Sequence, residues 1–221
     1  MAGFVHVTLK LATSLDGKIA TSTGQSQWIT GAEARDAVHA LRARYDVILT
    51  GIGTVLADDP RLTVRPGGVK AAEQPERAVL DTRLRILPGA KLFEEGPAII
   101  FHGSDDEARA KALSAKGARL VRVETGADGH ADLRAALRYL GSAGHSRVLI
   151  EAGGKLAASA LKAGLVHRLE WFRAPMIIGG DGMDVFAALG LGNLASAPQF
   201  RRTSVRVIGR DLHESYEREG N

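Results

Sequence analysis

Apolar positions along the chain recur with two periods, and their alternation sets the expected fold. Short runs with strand character fall at residues 5–11, 47–50, 78–80, 98–101, 119–123, 148–150 and 168–173. Between many of them the period lengthens to that of a helix. Residues 32–44 place Ala34, Ala37, Val38 and Leu41 on one face and charges on the other, after an N-cap candidate at Thr30. Residues 108–116 and 131–140 behave alike, the second with Leu133, Ala136, Leu137 and Leu140 at helical spacing, and Gly117 and Gly141 act as stops. Strand alternating with helix predicts a mostly parallel sheet covered by helices. The end of the chain departs from this. Residues 200–208 alternate Val205 and Val207 with Arg and Ser, Gly209-Arg210-Asp211 turns the chain, and residues 212–217 return, so an antiparallel hairpin is expected there. Pro66-Gly67-Gly68 and Gly179-Gly180-Asp181-Gly182 read as flexible surface loops.

Composition narrows the function classes. With 221 residues and 45% hydrophobic content, one domain over 1–221 with an ample core is expected. No apolar run approaches the ~20 residues needed to cross a bilayer, and the first residues lack a signal-peptide layout. A cytoplasmic protein without membrane association is expected. The chain has no cysteine, which excludes disulfides and thiolate catalysis, and its seven histidines show no ligand spacing, so no metal is expected. The net charge is +4, yet Lys and Arg are scattered and aromatics make up only 5%. That scatter favours an anionic small molecule and argues against nucleic acid as a partner.

Three loops that follow strands carry the candidate chemistry. The first runs from Ser14 through Asp16-Gly17 to Gly24, Ser26 and Trp28. An Asp-Gly pair marks a turn, so this is either a plain connection or a loop over which a ligand sits. Trp28 is costly to leave in water and is expected either against a ligand or as a roof on the core. In the second, Gly51-Ile52-Gly53-Thr54 opens a helix directly after a strand, Asp58-Asp59-Pro60 turns the chain, and Arg61 and Arg65 offer planar donors suited to phosphate. Simple solubility is the alternative for both, and for Arg61 it is the preferred reading. In the third, a buried strand ends in Glu151-Ala152-Gly153-Gly154 and a helix begins at once. The glycine pair serves either phosphate binding at a helix N-terminus or tight packing of strand on helix, and it is not the six-position dinucleotide fingerprint. Glu151 either accepts from a ligand hydroxyl or amine, or pairs with a nearby Arg. Two helix N-termini after two strands suit a dinucleotide.

These segments also carry a resemblance. Ala12-Thr13-Ser14-Leu15-Asp16-Gly17-Lys18-Ile19-Ala20, Gln25-Ser26-Gln27-Trp28-Ile29-Thr30 and the stretch from Gly51 to Arg65, followed in order by Leu80-Asp81-Thr82-Arg83-Leu84-Arg85 and Glu151 with Gly153-Gly154, closely resemble the reductase domain of the bifunctional riboflavin-biosynthesis deaminase-reductase. The resemblance covers nearly the whole chain. It implies a dihydrofolate-reductase-like, three-layer α/β/α fold with a mostly parallel central sheet and a C-terminal antiparallel hairpin. It implies NADPH as reductant and a homodimer. The implied reaction is hydride transfer to C1′ of the sugar of 5-amino-6-(5-phosphoribosylamino)uracil, giving the ribitylamino product.

Carried over by position, the family's cofactor contacts fall on Ala12, Trp28, Thr54, Asp58, Thr82 and the turn Gly153, Gly154, Lys155, Leu156, Ala157, Ala158 and Ser159. Its substrate contacts fall on Ser26, Arg42, Leu62, Arg65 and Glu151. Asp58 is the candidate proton donor or relay, a role that needs burial beside the cofactor to keep the acid protonated near neutrality; a water is the alternative. Arg83, next to Thr82, is placed to meet a 2′-phosphate. Zinc deamination needs a Pro-Cys-x-x-Cys that a chain without cysteine does not contain, so no deaminase activity is expected. Two other readings stand beside this one: a reductase of the non-deaminated 2,5-diamino-6-ribosylamino-pyrimidinone 5′-phosphate, and a non-catalytic nucleotide-binding protein of the same fold.

Overall fold

A computed structural model describes residues 4–126 and 128–219. The ends of the expected 1–221 domain, residues 1–3 and 220–221, lie outside the described residues. The strands are β1 (His6–Thr13), β2 (Lys18–Ala20), β3 (Val47–Gly51), β4 (Glu76–Leu80), β5 (Ala98–His102), β6 (Ala118–Arg122), β7 (Arg147–Glu151), β8 (Arg168–Arg173), β9 (Met183–Asp184), β10 (Phe200–Ile208) and β11 (Asp211–Arg218). The helices are α1 (Ala32–Arg42), α2 (Ile52–Asp58), α3 (Glu107–Ser114), α4 (Leu133–Ser142) and α5 (Gly154–Lys162). The chain forms two compact units, one made by residues up to His6 together with Leu41–Leu149, the other by Val7–Ala40 and the chain from Ile150 onward.

In the first unit β3, β4, β5 and β6 are parallel neighbours in that order, with β7 beside β3. The near-continuous apolar runs of β3, β4 and β5 follow from burial on both faces, whereas β6, at the sheet edge, is largely half-buried or exposed. Ile48, Val79 and Ile100 from three adjacent strands join Ile52 and Val55 of α2, Leu62, Leu84, Leu92 and Leu113 in one core cluster. Caps set the helix starts, and they correct the expected bounds. The Asp106 side chain accepts from the Arg109 N–H at 3.0 Å, which begins α3 at Glu107. Asp132 likewise accepts from the Ala135 N–H at 2.5 Å, so α4 starts at Leu133 rather than 131. The helix expected to reach residue 44 ends at Arg42. Beyond it the Asp46 carboxylate takes the backbone N–H groups of Ser146 and Arg147, at 2.9 and 2.8 Å, and turns the chain into β3.

In the second unit the order is β10-β11-β8-β1, with β1 and β8 parallel and the last two strands antiparallel, which is the expected terminal hairpin. A small sheet of β2 and β9 was not foreseen, because three and two residues carry no readable period. Gly31, not Thr30, precedes α1, and its carbonyl accepts from the Arg35 N–H at 3.2 Å. The seam between β8 and β11 is polar. Glu170, 3% exposed, lies 2.7 Å from His213 Nε2, 2.6 Å from Ser215 Oγ and 2.6 Å from Arg168 Nε. The His213 ring stacks on Phe172 at 4.2 Å. Burial raises the Glu170 carboxyl, but the bonds from His213, Ser215 and Arg168 outweigh it and hold the group at about 2 instead of 4.5.

A depressed carboxylate contributes stability above its unfolded pKa and loses it as pH falls toward its folded one. Glu170→Gln is therefore expected to lower stability at neutral pH by about 2–3 kcal/mol, the scale of bonds to a charged group. The gap from the unaltered protein should close as pH falls from 4.5 toward about 2. Urea denaturation at stepped pH checks this, and a gap independent of pH contradicts it.

Candidate functional site

Within the first unit, β3 runs straight into α2 through Gly51, and the first turn of α2 carries Gly53 and Thr54. A side chain at Gly53 would meet nothing within 4 Å. Asp59 ends the helix in the left-handed region at φ 41°, and Leu62 follows at φ 52°. The Leu62 side chain is 3% exposed in the core cluster, so only its backbone can face a ligand. Gln74 grips the neighbouring residue on both sides, accepting from the Val64 N–H at 2.8 Å and donating to its carbonyl at 3.0 Å. Arg42 Nη1 donates to the Thr63 carbonyl at 2.9 Å, which brings Arg42, Leu62 and the half-buried Arg65 to one segment. Arg61 pairs with Glu94.

Asp58 is exposed at the last position of α2, so the protein does not itself supply the burial expected of a proton donor there. Thr82 follows β4, and its Oγ1 accepts from the Ala131 N–H at 2.8 Å while its carbonyl accepts from the Gly103 N–H at 3.0 Å. Arg83 is exposed next to it. An open cleft lined by Gly103, Arg122, Val123, Glu124 and Thr125 lies at the carboxyl ends of β5 and β6.

Within the second unit, Glu151 closes β7 at 8% exposure, and Lys10 Nζ of β1 lies 3.8 Å from its Oε2. The expected ion pair exists, with a lysine in place of an arginine. Thr8, Lys10 and Ala12 share one face of β1. Gly153 then caps α5, whose first-turn N–H groups have no intrahelical acceptor. The two glycines differ. A Cβ at Gly154 would sit 2.7 Å from the Asp184 carbonyl oxygen and 3.2 Å from the Ala187 nitrogen, whereas one at Gly153 would meet only Ile19 Cδ1 at 4.0 Å. Packing explains Gly154 and leaves Gly153 unexplained. Ala157 and Ala158 are buried in the core, so their side chains offer no contact surface, while Ser159 is half-buried in the second turn.

The loop from Ser14 is locked rather than flexible. The Asp16 carboxylate accepts from Ser14 Oγ at 2.6 Å and from the Gly179 and Ile178 N–H groups at 2.7 and 3.2 Å. Bonds from Ser14 and then Gly179 hold its pKa at about 2. The glycine loop expected to be mobile is thus pinned, and at Gly182 a Cβ would lie 2.7 Å from Ile178 Cγ2. Ser26 is half-buried, and the Gln27–Trp28 peptide bond is cis. Trp28 is 65% exposed, which removes the core-roof alternative, and the Arg35 guanidinium lies 4.4 Å from its ring centroid. Among the described residues no group of three or more His, Asp or Glu side chains is placed to hold a metal ion, and no helix is long and apolar enough to cross a membrane.

The family model for the RibD C-terminal domain matches residues 5–213. The chain belongs to that family. The riboflavin biosynthesis protein RibD of Escherichia coli (strain K12) is 35% identical over 220 residues, covering 95% of this chain and 59% of that protein. The 2,5-diamino-6-ribosylamino-4(3H)-pyrimidinone 5′-phosphate reductase of Methanothermobacter thermautotrophicus is 36% identical over 213 residues, covering 96% of this chain and 97% of that protein. The solved structure of Acinetobacter baumannii RibD, form 1, matches with a TM-score of 0.84 at 30% identity, covering 99% of this chain and 59% of that one. This RibD C-terminal domain thus spans little more than half the length of the RibD proteins it matches.

Two residues of this RibD C-terminal domain escaped the sequence reading. Lys10 was hidden inside a strand read for its apolar partners, and only a lysine in a largely buried strand signalled it. Arg35 was counted among the solvated charges of α1. The contrast between the glycines gives a test. Gly154→Ala forces backbone apart and is expected to cost about 1–3 kcal/mol, the usual penalty for overpacking. Gly153→Ala is expected to unfold at the same temperature as the unaltered chain. Thermal unfolding of both variants decides, and equal losses would mean that both glycines serve packing.

Proposed function

We propose that the chain is an NADPH-dependent reductase of a phosphoribosylamino-pyrimidine in riboflavin biosynthesis. It converts 5-amino-6-(5-phosphoribosylamino)uracil to 5-amino-6-(5-phosphoribitylamino)uracil. The observation that carries the reading is the start of α5. There Gly153 keeps open a space that no packing neighbour needs, two residues from the buried Glu151 and its Lys10 partner. An open backbone approach to helical N–H groups fits the phosphates of a dinucleotide.

Residues 153–159, through the first-turn backbone, with Ala12, Trp28, Thr54, Asp58 and Thr82, are assigned to NADPH, and Arg83 to its 2′-phosphate. Arg42 and Arg65 are assigned to the ribose phosphate, whose oxygens match the planar guanidinium fork. Ser26, Glu151 and the Leu62 backbone are assigned to the remaining polar atoms of the substrate. When bound, NADPH supplies the hydride, which adds to C1′ of the ring-opened imine and leaves NADP⁺. The imine nitrogen must gain a proton. We assign that proton to the half-buried Lys10, which lies beside the buried Glu151, in preference to the exposed Asp58. The protein is read as a cytoplasmic homodimer without deaminase activity. Sedimentation equilibrium showing a monomer at all concentrations would remove the dimer.

A second reading rests on the Methanothermobacter relative, which the chain covers almost completely and which is named for the non-deaminated pyrimidine. Steady-state oxidation of NADPH with each pyrimidine separates the two. The deaminated compound is expected to give the higher kcat/KM, and NADPH to be preferred over NADH. Oxidation of neither cofactor by either pyrimidine, with NADPH still bound, would leave a non-catalytic nucleotide-binding protein. Arg65→Ala is expected to raise the pyrimidine KM by roughly ten- to more than a hundredfold, the equivalent of about 1.5–3 kcal/mol for a charge-assisted bond. Gly153→Val is expected to weaken NADPH first. Loss of NADPH binding in Arg65→Ala with an unchanged pyrimidine KM would reverse these assignments.

A further inference from the structure

Trp28 is held in an unusual way for an exposed side chain. Its indole is 65% exposed, yet one face is covered by the Arg35 guanidinium at 4.4 Å. Arg35 is itself fixed, because its Nη1 donates to the Thr30 carbonyl at 2.9 Å and its backbone lies in the first turns of α1. The residues between ring and helix are tied as well. Arg210 Nη2 donates to the Ile29 carbonyl at 3.2 Å, and the Gly31 N–H donates to the buried Asp211 carboxylate at 2.6 Å. A planar cation on one face of an indole is a stabilising contact, and a rigid aromatic surface on the other face costs little ordering entropy when a flat ring binds. Leaving so large an apolar face in water has no structural benefit.

We propose that Arg35 is a positioning residue of the reductase site. It holds the Trp28 indole as a fixed platform whose uncovered face stacks on a planar ring of the nicotinamide cofactor. The proposal rests on the assignment of Trp28 to the cofactor. It adds to that assignment a residue that acts through Trp28 and touches no ligand itself. Arg35 therefore controls cofactor affinity, and the pyrimidine subsites are independent of it.

The test uses kinetics on the unaltered chain and fluorescence on a Trp171→Phe background, in which Trp28 is the only tryptophan. Arg35→Ala is expected to raise the NADPH KM roughly three- to tenfold, with kcat within about twofold and the pyrimidine KM unchanged. In the single-tryptophan protein NADPH is expected to quench Trp28 emission to saturation, and Arg35→Ala to lower the Trp28 anisotropy before cofactor is added. Arg35→Lys, which keeps the charge without the plane, is expected to recover only part of the affinity. An Arg35→Ala variant with unchanged NADPH KM and unchanged anisotropy, in a protein where NADPH still quenches Trp28, overturns the role of Arg35 alone. If Trp28→Leu leaves the NADPH KM unchanged, the assignment of Trp28 to the cofactor fails and the proposal fails with it.

Discussion

The backbone at Gly154 lies so close to the Asp184 carbonyl that no other residue fits without displacement, and this contact organises the loop layer of the second unit. Ala187 donates its N–H to the Gly154 carbonyl at 3.0 Å, and Val185 donates to Gly17 at 3.0 Å. Lys18 reaches the Asp184 carboxylate at 2.5 Å, and Asp16 holds the Ile178 and Gly179 amides. One short segment, residues 184–187, thereby ties the turn after β1 to the start of α5. The consequence is chemical. With the N-terminal turn of α5 clamped from one side at Gly154, a Cβ at Gly153 would meet only Ile19 Cδ1 at 4.0 Å, so the positive end of the helix dipole is held in place without close side-chain packing there.

Much of this was legible in the sequence. Strand β8 was expected at 168–173 and is found there, because an apolar alternation bounded by polar residues leaves little freedom in its limits. Helix starts were misjudged by one or two residues where an aspartate cap, Asp106 or Asp132, decided the matter against the apolar period. The chemistry was less legible. Glycine pairs look alike in sequence, and only the neighbouring Asp184 carbonyl distinguishes a glycine required by packing from one that is not. Leu62, Ala157 and Ala158 were carried over as contacts by position, yet side-chain burial is a tertiary property that position does not reveal. Asp58 is exposed, so the protein alone does not supply the burial that its role as proton donor calls for. The loop containing Gly179 was read as mobile from its composition, although backbone N–H groups that meet a carboxylate are held firmly.

The first unit shows where backbone strain is kept. Asp59, Leu62 and Leu84 adopt left-handed φ values of 41°, 52° and 52°, which cost non-glycine residues of the order of ~1–3 kcal/mol each. Each is over-determined by its surroundings. Leu62 and Leu84 are anchored by core side chains, and the Asp59 N–H completes the last turn of α2 on the Val55 carbonyl. The Gln74 clamp on Val64 and the Arg42 bond to Thr63 then fix the segment that carries Arg65. Two arginines held on rigid backbone are better suited to a phosphate than two on a mobile loop, since less order remains to be imposed on binding.

The central claim is that this fold delivers a hydride from a nicotinamide to the sugar carbon of a pyrimidine nucleotide. The most direct measurement is a single turnover with NADPH carrying deuterium at the transferable C4 position and an unlabelled phosphoribosylamino-uracil, with the product analysed by mass spectrometry and NMR. The account predicts one deuterium per product molecule, located at C1′ of the ribityl chain. Deuterium absent from the product, or found at any other carbon, would contradict it.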